Sequence, residues 1–201
     1  MPDRKEEKAR QRAYYAQIRE RLNKADLERN SRILVNMLYS LPLVREAKRV
    51  MLYAAKGGEV DILPLIPLLE DEGIQCYIPS TRTEHIVVAR YDGRMKMVNR
   101  VLGIREPEEV IPLEPAALDV ILAPGVAFDD RGGRLGQGGG YYDRLFAETD
   151  ALRVGICHEV QITERVPREE WDIPMDLTLT EEGVLYKGPK IHRFHLENPM
   201  I

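Results

Sequence analysis

Residues 124–143 read PGVAFDDRGGRLGQGGGYYD, and the rest of the chain is organised around this stretch. It follows Val120-Ile121-Leu122-Ala123, an apolar run too short for a helix and β-rich enough for a buried strand. Glycines then recur from Gly132 to Gly140, and residues 141–148 have helix-compatible composition. Strand, glycine-rich loop and helix start is an arrangement that cradles phosphate. Glycine lets backbone N–H groups approach an anion closely, and a helix N-terminus adds a favourable dipole. Arg131 and Arg134 bring positive charge to the same loop. No Gly-Lys-Ser/Thr follows, so this is not a Walker A sequence, and no acidic residue ends a second strand at the distance a dinucleotide-binding turn requires. Glycine-rich loops are individually weak signals, so a long surface loop without a ligand is the competing reading.

The neighbouring residues sharpen the choice. PGVAFD at 124–129 and RLGQGGGYYDR at 134–144 resemble the signature of the 5-formyltetrahydrofolate cyclo-ligases, also called methenyltetrahydrofolate synthetases. Weaker similarity runs from Lys8 to Gly183, nearly the whole chain. The resemblance implies an enzyme that uses ATP and magnesium to close 5-formyltetrahydrofolate to 5,10-methenyltetrahydrofolate, releasing ADP and phosphate through a phosphorylated formyl oxygen. Two other classes stay open: a paralogous ATP-dependent ligase acting on another small amide, and a non-catalytic folate or nucleotide sensor. The complete loop block, with Lys8 and two acids, argues against the sensor. Gln11 and Ile62, where the family carries leucine and threonine, leave room for the paralogue.

The bulk numbers agree with a small α/β enzyme. A chain of 201 residues suits one domain, expected over 1–186 with a polar, Pro-containing extension at 187–201. A net charge of −4 argues against a general nucleic-acid or membrane-surface binder. No apolar run reaches the roughly 20 residues of a membrane span, and the charged N-terminus lacks a signal-peptide core, which predicts a cytoplasmic protein. A monomer or weak dimer is expected. Cys76 and Cys157 lack CxxC spacing and read as reduced core thiols; His85, His158, His192 and His195 form no zinc pattern.

Taken in order, the chain alternates helix and strand. Residues 3–22 form a charged helix with a thin apolar stripe of Ala9, Ala13, Tyr14, Ile18 and Leu22. A second helix starts at the cap Asn23, with Asp26 in a variant capping box, and stops before Pro42. Strands are expected at 49–55, 74–78 (closed by Pro79), 86–89, 120–123, 153–157 and 177–180, with a helix over 61–71 in which Pro67 suggests a kink or a late start. Residues 90–100 read as a polar excursion. Gly103-Ile104-Arg105-Glu106-Pro107 matches a family block expected as a rigid turn, with Arg105 either near the folate tail or in a surface ion pair. The alternation predicts a three-layer α/β fold with a parallel or mixed central sheet and helices on both faces. The resemblance adds that it is Rossmann-like, of the sugar-phosphate isomerase and CoA-transferase type.

Carried over residue by residue, the resemblance places the nucleotide on Lys8, Arg12 and the backbone of Gly133, Arg134, Leu135, Gly136, Gln137, Gly138, Gly139, Gly140 and Tyr141. Lys8 and Arg12 lie one helical turn apart on one face. Glu59, just past a strand's carboxyl end, matches a folate-contacting acid; its alternative is a first-turn acid favouring the next helix dipole. Tyr141 reads as a folate contact and, with Arg134, as a catalytic residue. Asp143 and Asp172 match metal-associated acids, and two carboxylates suffice for magnesium, which takes its other ligands from water and phosphate. Each also reads as an ordinary helix-start or turn aspartate. Phe128 and Trp171 are candidates to wall the pterin.

Overall fold

The computed structural model describes residues 3–81, 85–99 and 105–194. Helices α1 (Arg4–Glu20), α2 (Lys24–Ser40) and α3 (Pro42–Arg45) precede β1 (Arg49–Met51), and α4 (Leu65–Asp71) leads to β2 (Gln75–Ser80). Short strands β3 (Val87–Arg90), β4 (Met97–Asn99), β5 (Arg105–Pro107) and β6 (Pro112–Leu113) come next. The second half holds β7 (Val120–Pro124), the hairpin of β8 (Ala127–Phe128) and β9 (Arg134–Leu135), α5 (Tyr141–Ala147), β10 (Leu152–Ile156), β11 (Leu177–Thr180) and β12 (Gly183–Lys187).

Among the described residues the main sheet has the order β12-β11-β10-β7-β1-β2-β3-β6. Its five central strands, from β11 to β2, are parallel, and β12 and β3 flank them antiparallel. Buried on both faces, the central strand β7 is apolar at successive positions rather than alternating. Val50, Leu52, Val120 and Leu122 pack with Leu34 and Leu38 of α2 and Ile66 and Leu69 of α4. Met51, Ile121 and Ala123, on the other side, pack with Leu145 and Phe146 of α5. That is the expected three-layer arrangement.

Local sequence explains most boundaries. Asp3 accepts from Lys5 N at 3.1 Å and caps α1; Asn23 accepts from Asp26 N at 2.9 Å and caps α2. Asp26 answers through Asn23 Nδ2 at 2.7 Å rather than through the backbone. The helix read over 61–71 starts late, at Leu65, which puts Pro67 in the first turn where its missing N–H has no intrahelical partner to lose.

Pro79 does not close β2, which runs on to Ser80. Tyr77 C=O faces β1 and accepts from Leu52 N at 2.7 Å, so Pro79, two residues on, turns its nitrogen to the same side, past the end of β1. The polar excursion contains β4, which pairs with β5, so residues 105–107 are strand rather than turn. Glu106 is fully buried there and accepts from Ser80 Oγ, Thr81 N and Thr81 Oγ1 at 2.6–2.8 Å. Gly103, Ile104 and the segment 195–201 lie outside the described residues. The chain beyond Lys187 starts as packed structure, with Ile191 buried in the core. Ile62 and Phe128, read as site neighbours, are both fully buried core side chains. At about 1.5–3 kcal/mol for burying such a side chain, packing decides those positions. Cys76 and Cys157 are buried free thiols whose pKa values burial raises. Among the described residues no helix is long and apolar enough to cross a membrane.

The chain passes from β1 to β2 on one side and returns in β7 on the other, a topological switch whose crevice opens at the strands' carboxyl ends. A buried polar chain fixes the loops around it. His158 Nε2 lies 3.2 Å from Gly58 O and Nδ1 lies 3.2 Å from Asn30 Nδ2. These partners select the neutral tautomer with its proton on Nε2. Burial pushes the His158 pKa down to about 4, against the Gly58 hydrogen bond and aided by the Arg19 charge. The unfolded chain therefore binds a proton that the folded one refuses between about pH 4 and the ordinary value near 6.5. Stability from this group is present above that window and is lost as pH falls through it, by up to about 3 kcal/mol. Burial raises the Glu59 and Glu181 carboxyl groups, which act in the opposite sense. Thermal melts of wild type and His158→Gln at pH 7 and pH 5 isolate the histidine: the variant is expected to lose less stability on acidification, and identical losses would contradict this account.

Candidate active site

β1 and β7 are paired only through Val50 with Val120 and Met51 with Ile121. Beyond these rungs the chains part, which is why the strand expected over 49–55 ends at Met51. Between them opens a cleft of about 960 Å³. Of the residues expected to bind the nucleotide, the folate or the metal, all line it except Gly133, and of the two expected to wall the pterin Trp171 lines it and Phe128 does not.

Helix α1 lies against this opening, and the face it turns inward is not the expected apolar stripe. Tyr14 is 59% exposed, and Ala9 and Ala13 are exposed with it. The inward face carries Lys8, Arg12, Tyr15 and Arg19, spaced four, three and four residues and hence on one side of the helix. Lys8 Nζ meets Asp172 Oδ2 at 2.5 Å, Arg12 Nε donates to Gly136 O at 2.8 Å, Tyr15 Oη to Ile162 O at 3.0 Å and Arg19 Nε to Gly57 O at 2.9 Å. Gln11 Nε2, beside them, donates to Arg165 O at 3.0 Å. The physical reason is the surface beneath. Strand ends and loops present carbonyls without ladder partners, and long donors satisfy them where an apolar stripe would leave them bare.

The glycine-rich loop divides into two parts. Its first half is a β-hairpin turn built on Asp129, which is 1% exposed and accepts from Arg131 N, Gly133 N and Val166 N at 2.7–2.9 Å. A Cβ on Gly133 would stand 2.4 Å from the Asp129 carboxylate, so this glycine belongs to the turn and not to a ligand cradle. The second half, residues 136–140, forms the lip of the cleft. Gly138 and Gly140 hold the positive φ angles there, 103° and 66°; Gly139 has none, but a Cβ on it would reach the Tyr141 ring at 2.8 Å. Helix α5 behind the lip has only seven residues, so its dipole contributes little and the loop amides are the relevant donors.

Arg134 is not a free cation: its side chain is 4% exposed, 3.2 Å from Pro124 O and 3.3 Å from Asp143 Oδ2, with the Tyr142 and Phe146 rings 5.2 and 5.5 Å away. Its Nε and the Tyr142 hydroxyl are buried and find no hydrogen-bond partner among the described residues. Burial lowers the Arg134 pKa, opposed first by the Asp143 charge and also by Asp172, and a guanidinium keeps its proton regardless. Arg134 thus pairs with one candidate metal acid and feels the charge of the other. Oδ2 of Asp143 takes Arg134, and Oδ2 of Asp172 takes Lys8 and the Glu169 N–H, whereas no hydrogen bond among the described residues engages Oδ1 of either. Among the described residues no three His, Cys, Asp or Glu side chains converge on one point. The donor set is therefore no closed cage, but it fits a hard cation that takes one or two carboxylates and completes its shell elsewhere.

On the opposite wall, Glu59 ends a tight turn. Gly57 and Gly58 have φ of 56° and 76°, and Glu59 N donates to Lys56 O at 3.1 Å, as a turn of two left-handed residues requires. Glu59 Oε2 folds back to accept from Lys56 N at 3.1 Å. Helix α4 begins only at Leu65, so Glu59 is not a first-turn acid. Trp171, 70% exposed, stands at the cleft beside Asp172.

This geometry has known counterparts. A profile described as the 5-formyltetrahydrofolate cyclo-ligase family matches residues 4–181. The chain belongs to that family. It is 35% identical over 157 residues to the 5-formyltetrahydrofolate cyclo-ligase of Escherichia coli strain K12, covering 73% of this chain and 85% of that protein. A probable 5-formyltetrahydrofolate cyclo-ligase of Caenorhabditis elegans is 28% identical over 93% of this chain and 96% of its own. Among solved structures, the 5,10-methenyltetrahydrofolate synthetase of Aquifex aeolicus superposes with a TM-score of 0.80 at 37% identity, covering 88% of this chain and 91% of that one.

In this cyclo-ligase chain the residue missed from sequence is Arg19, although its place in the basic stripe of α1 was a usable signal. Asp129 closes the PGVAFD block, but its role as the acceptor for three loop amides depends on partners that its local sequence does not show. The divided loop makes a prediction about its glycines. Gly133→Ala drives a methyl into a carboxylate fixed by three amides and is expected to lower stability by about 2 kcal/mol or more. Gly139→Ala meets only a ring at the cleft lip and should leave the melting temperature of the free protein nearly unchanged. Equal thermal shifts in the two variants would refute the division.

Proposed function

We propose that this chain is an ATP- and magnesium-dependent ligase that closes 5-formyltetrahydrofolate to 5,10-methenyltetrahydrofolate with release of ADP and phosphate. Family membership supports the reaction. The observation that carries it in this molecule is that the glycine lip, the basic side of α1 and the buried acid Glu59 line one cleft at the switch point. A formyl amide is a poor electrophile whose oxygen leaves badly. Transfer of a phosphoryl group to that oxygen, with ADP departing, lets it leave as phosphate once the neighbouring amine nitrogen has bonded to the carbon and lost its proton. Such chemistry asks for positioning and charge stabilisation more than for covalent catalysis.

The lining residues divide the labour. Lys8, Arg12 and the amides of residues 136–140 would hold the phosphate chain, and Arg134 keeps the lip and Asp143 in register. Five basic and four acidic side chains line the cleft, so its charge is close to balanced and cannot neutralise a triphosphate alone. Magnesium would supply the missing positive charge on the phosphate oxygens, held by Asp143 and Asp172. Glu59 would accept N–H donors of the pterin, with Tyr141 and Trp171 as the aromatic surfaces beside it.

The decisive assay follows absorbance of the methenyl product from 5-formyltetrahydrofolate, with and without ATP and magnesium. Product that needs both is expected; no product, or product without ATP, would end this reading. Lys8→Ala and Arg12→Ala should each raise the KM for ATP roughly ten- to hundred-fold, the loss of one charge-assisted contact, with a much smaller change in the KM for the folate. Gly139→Ala should lower turnover about ten-fold by displacing Tyr141 and the lip. Unchanged ATP kinetics in both α1 variants would return that helix to a purely structural role.

A further inference from the structure

Arg19 is 5% exposed and stands behind the cleft wall rather than on it. A buried guanidinium is expensive unless its donors are used, so what it touches is informative. Its Nε donates to Gly57 O at 2.9 Å; its Nη1 lies 3.4 Å from Gly125 O and 3.6 Å from Glu59 Oε1. Gly57 and Glu59 belong to the turn after β1, and Gly125 follows β7. Arg19 therefore spans the crevice from beneath and ends on the one carboxylate of that wall.

The groups facing Glu59 come from four elements. Lys56 lies on its own turn, Arg19 on α1, Tyr53 past the end of β1 and Tyr142 on α5. His158 holds the same turn through Gly58 O and is neutral, and the Arg19 charge favours that neutral form. Burial pushes the Glu59 carboxyl up, while the Lys56 N–H, Arg19 and the Lys56 charge oppose it.

We infer that Arg19 is the positioning residue for the folate side of the site: it keeps the Glu59 carboxylate ionised and fixed against both loops, so that Glu59 meets its ligand as an anion. The inference rests on the reading of Glu59 as the acid that takes the pterin. It divides α1 by function. Lys8 and Arg12 serve the nucleotide from one end, and Arg19 serves the folate from the other without touching it.

The test titrates the Glu59 carboxyl by carbon-13 NMR in the ligand-free protein, its resonance assigned by loss in Glu59→Gln. Arg19→Gln is expected to raise the midpoint by about one unit or more, whereas Arg19→Lys, which keeps a cation, should leave it near the wild-type value. Calorimetry should show 5-formyltetrahydrofolate binding to Arg19→Gln weakened about ten-fold one pH unit below the new midpoint and regained as pH rises past it, with ATP affinity held within about two-fold. An unmoved midpoint, or a loss that is the same at every pH or equal for both ligands, overturns the inference. Should Arg19→Gln fail to fold, Arg19→Lys decides: losing the fork to Gly125 must weaken folate alone, and equal losses for folate and ATP refute a positioning role. Because the titration needs no ligand, a wild-type protein that forms no methenyl product sinks the functional reading while the midpoint still judges Arg19.

Discussion

Where two parallel strands separate, the carbonyls beyond the last shared rung lose their partners, and this molecule is built around replacing them. Gly125 O and Val126 O each accept from Gln161 Nε2 at 2.9 Å; Gly57 O takes Arg19, Gly58 O takes His158, Gly136 O takes Arg12 and Pro124 O takes Arg134. Each donor comes from another part of the chain. An acceptor buried without a donor costs about 1–3 kcal/mol, more than most single contacts return, so these side chains are under strong constraint before any ligand enters. The cleft can be hollow because side chains do there what the sheet does elsewhere.

The same constraint explains what was legible in the sequence. A strand buried on both faces can announce itself as an apolar run, and β7 falls where Val120 starts one. Caps and prolines set α2 and α4, because Asn23 and Pro67 act on their own backbone. The loop signature located the cleft, and the expected residues line it apart from Gly133 and Phe128. What failed depended on distant partners. Gly133 looks like its neighbours until Asp129 is placed under it. Pro79 reads as a strand end until the shorter length of β1 is known. Helix α1 misled because amphipathic reasoning assumes an apolar inside, whereas its inside is a set of carbonyls and an aspartate. Strands β4 and β5 have three residues each, too few for a period to register.

Charge in the cleft is arranged as pairs rather than as a field of one sign. Lys8 with Asp172 and Arg134 with Asp143 join residues far apart in the chain or on different elements, and all four side chains are at least three-quarters shielded. Pairs of this kind add little to net stability, since desolvation offsets much of the attraction. Their effect is on order: each cation and each carboxylate already points into the cleft in a fixed place, so little reorganisation is needed when other charges arrive.

Trp171 is the single tryptophan of the chain, and it stands mostly in water against the cleft, next to the aspartate that Lys8 holds. An indole in that position emits as a solvated fluorophore, and anything flat that covers it removes water from one face. Occupancy of the cleft is thereby written into the protein's own emission spectrum, with no second indole to blur the signal. Arrival and departure of a ligand can be timed without attaching a dye.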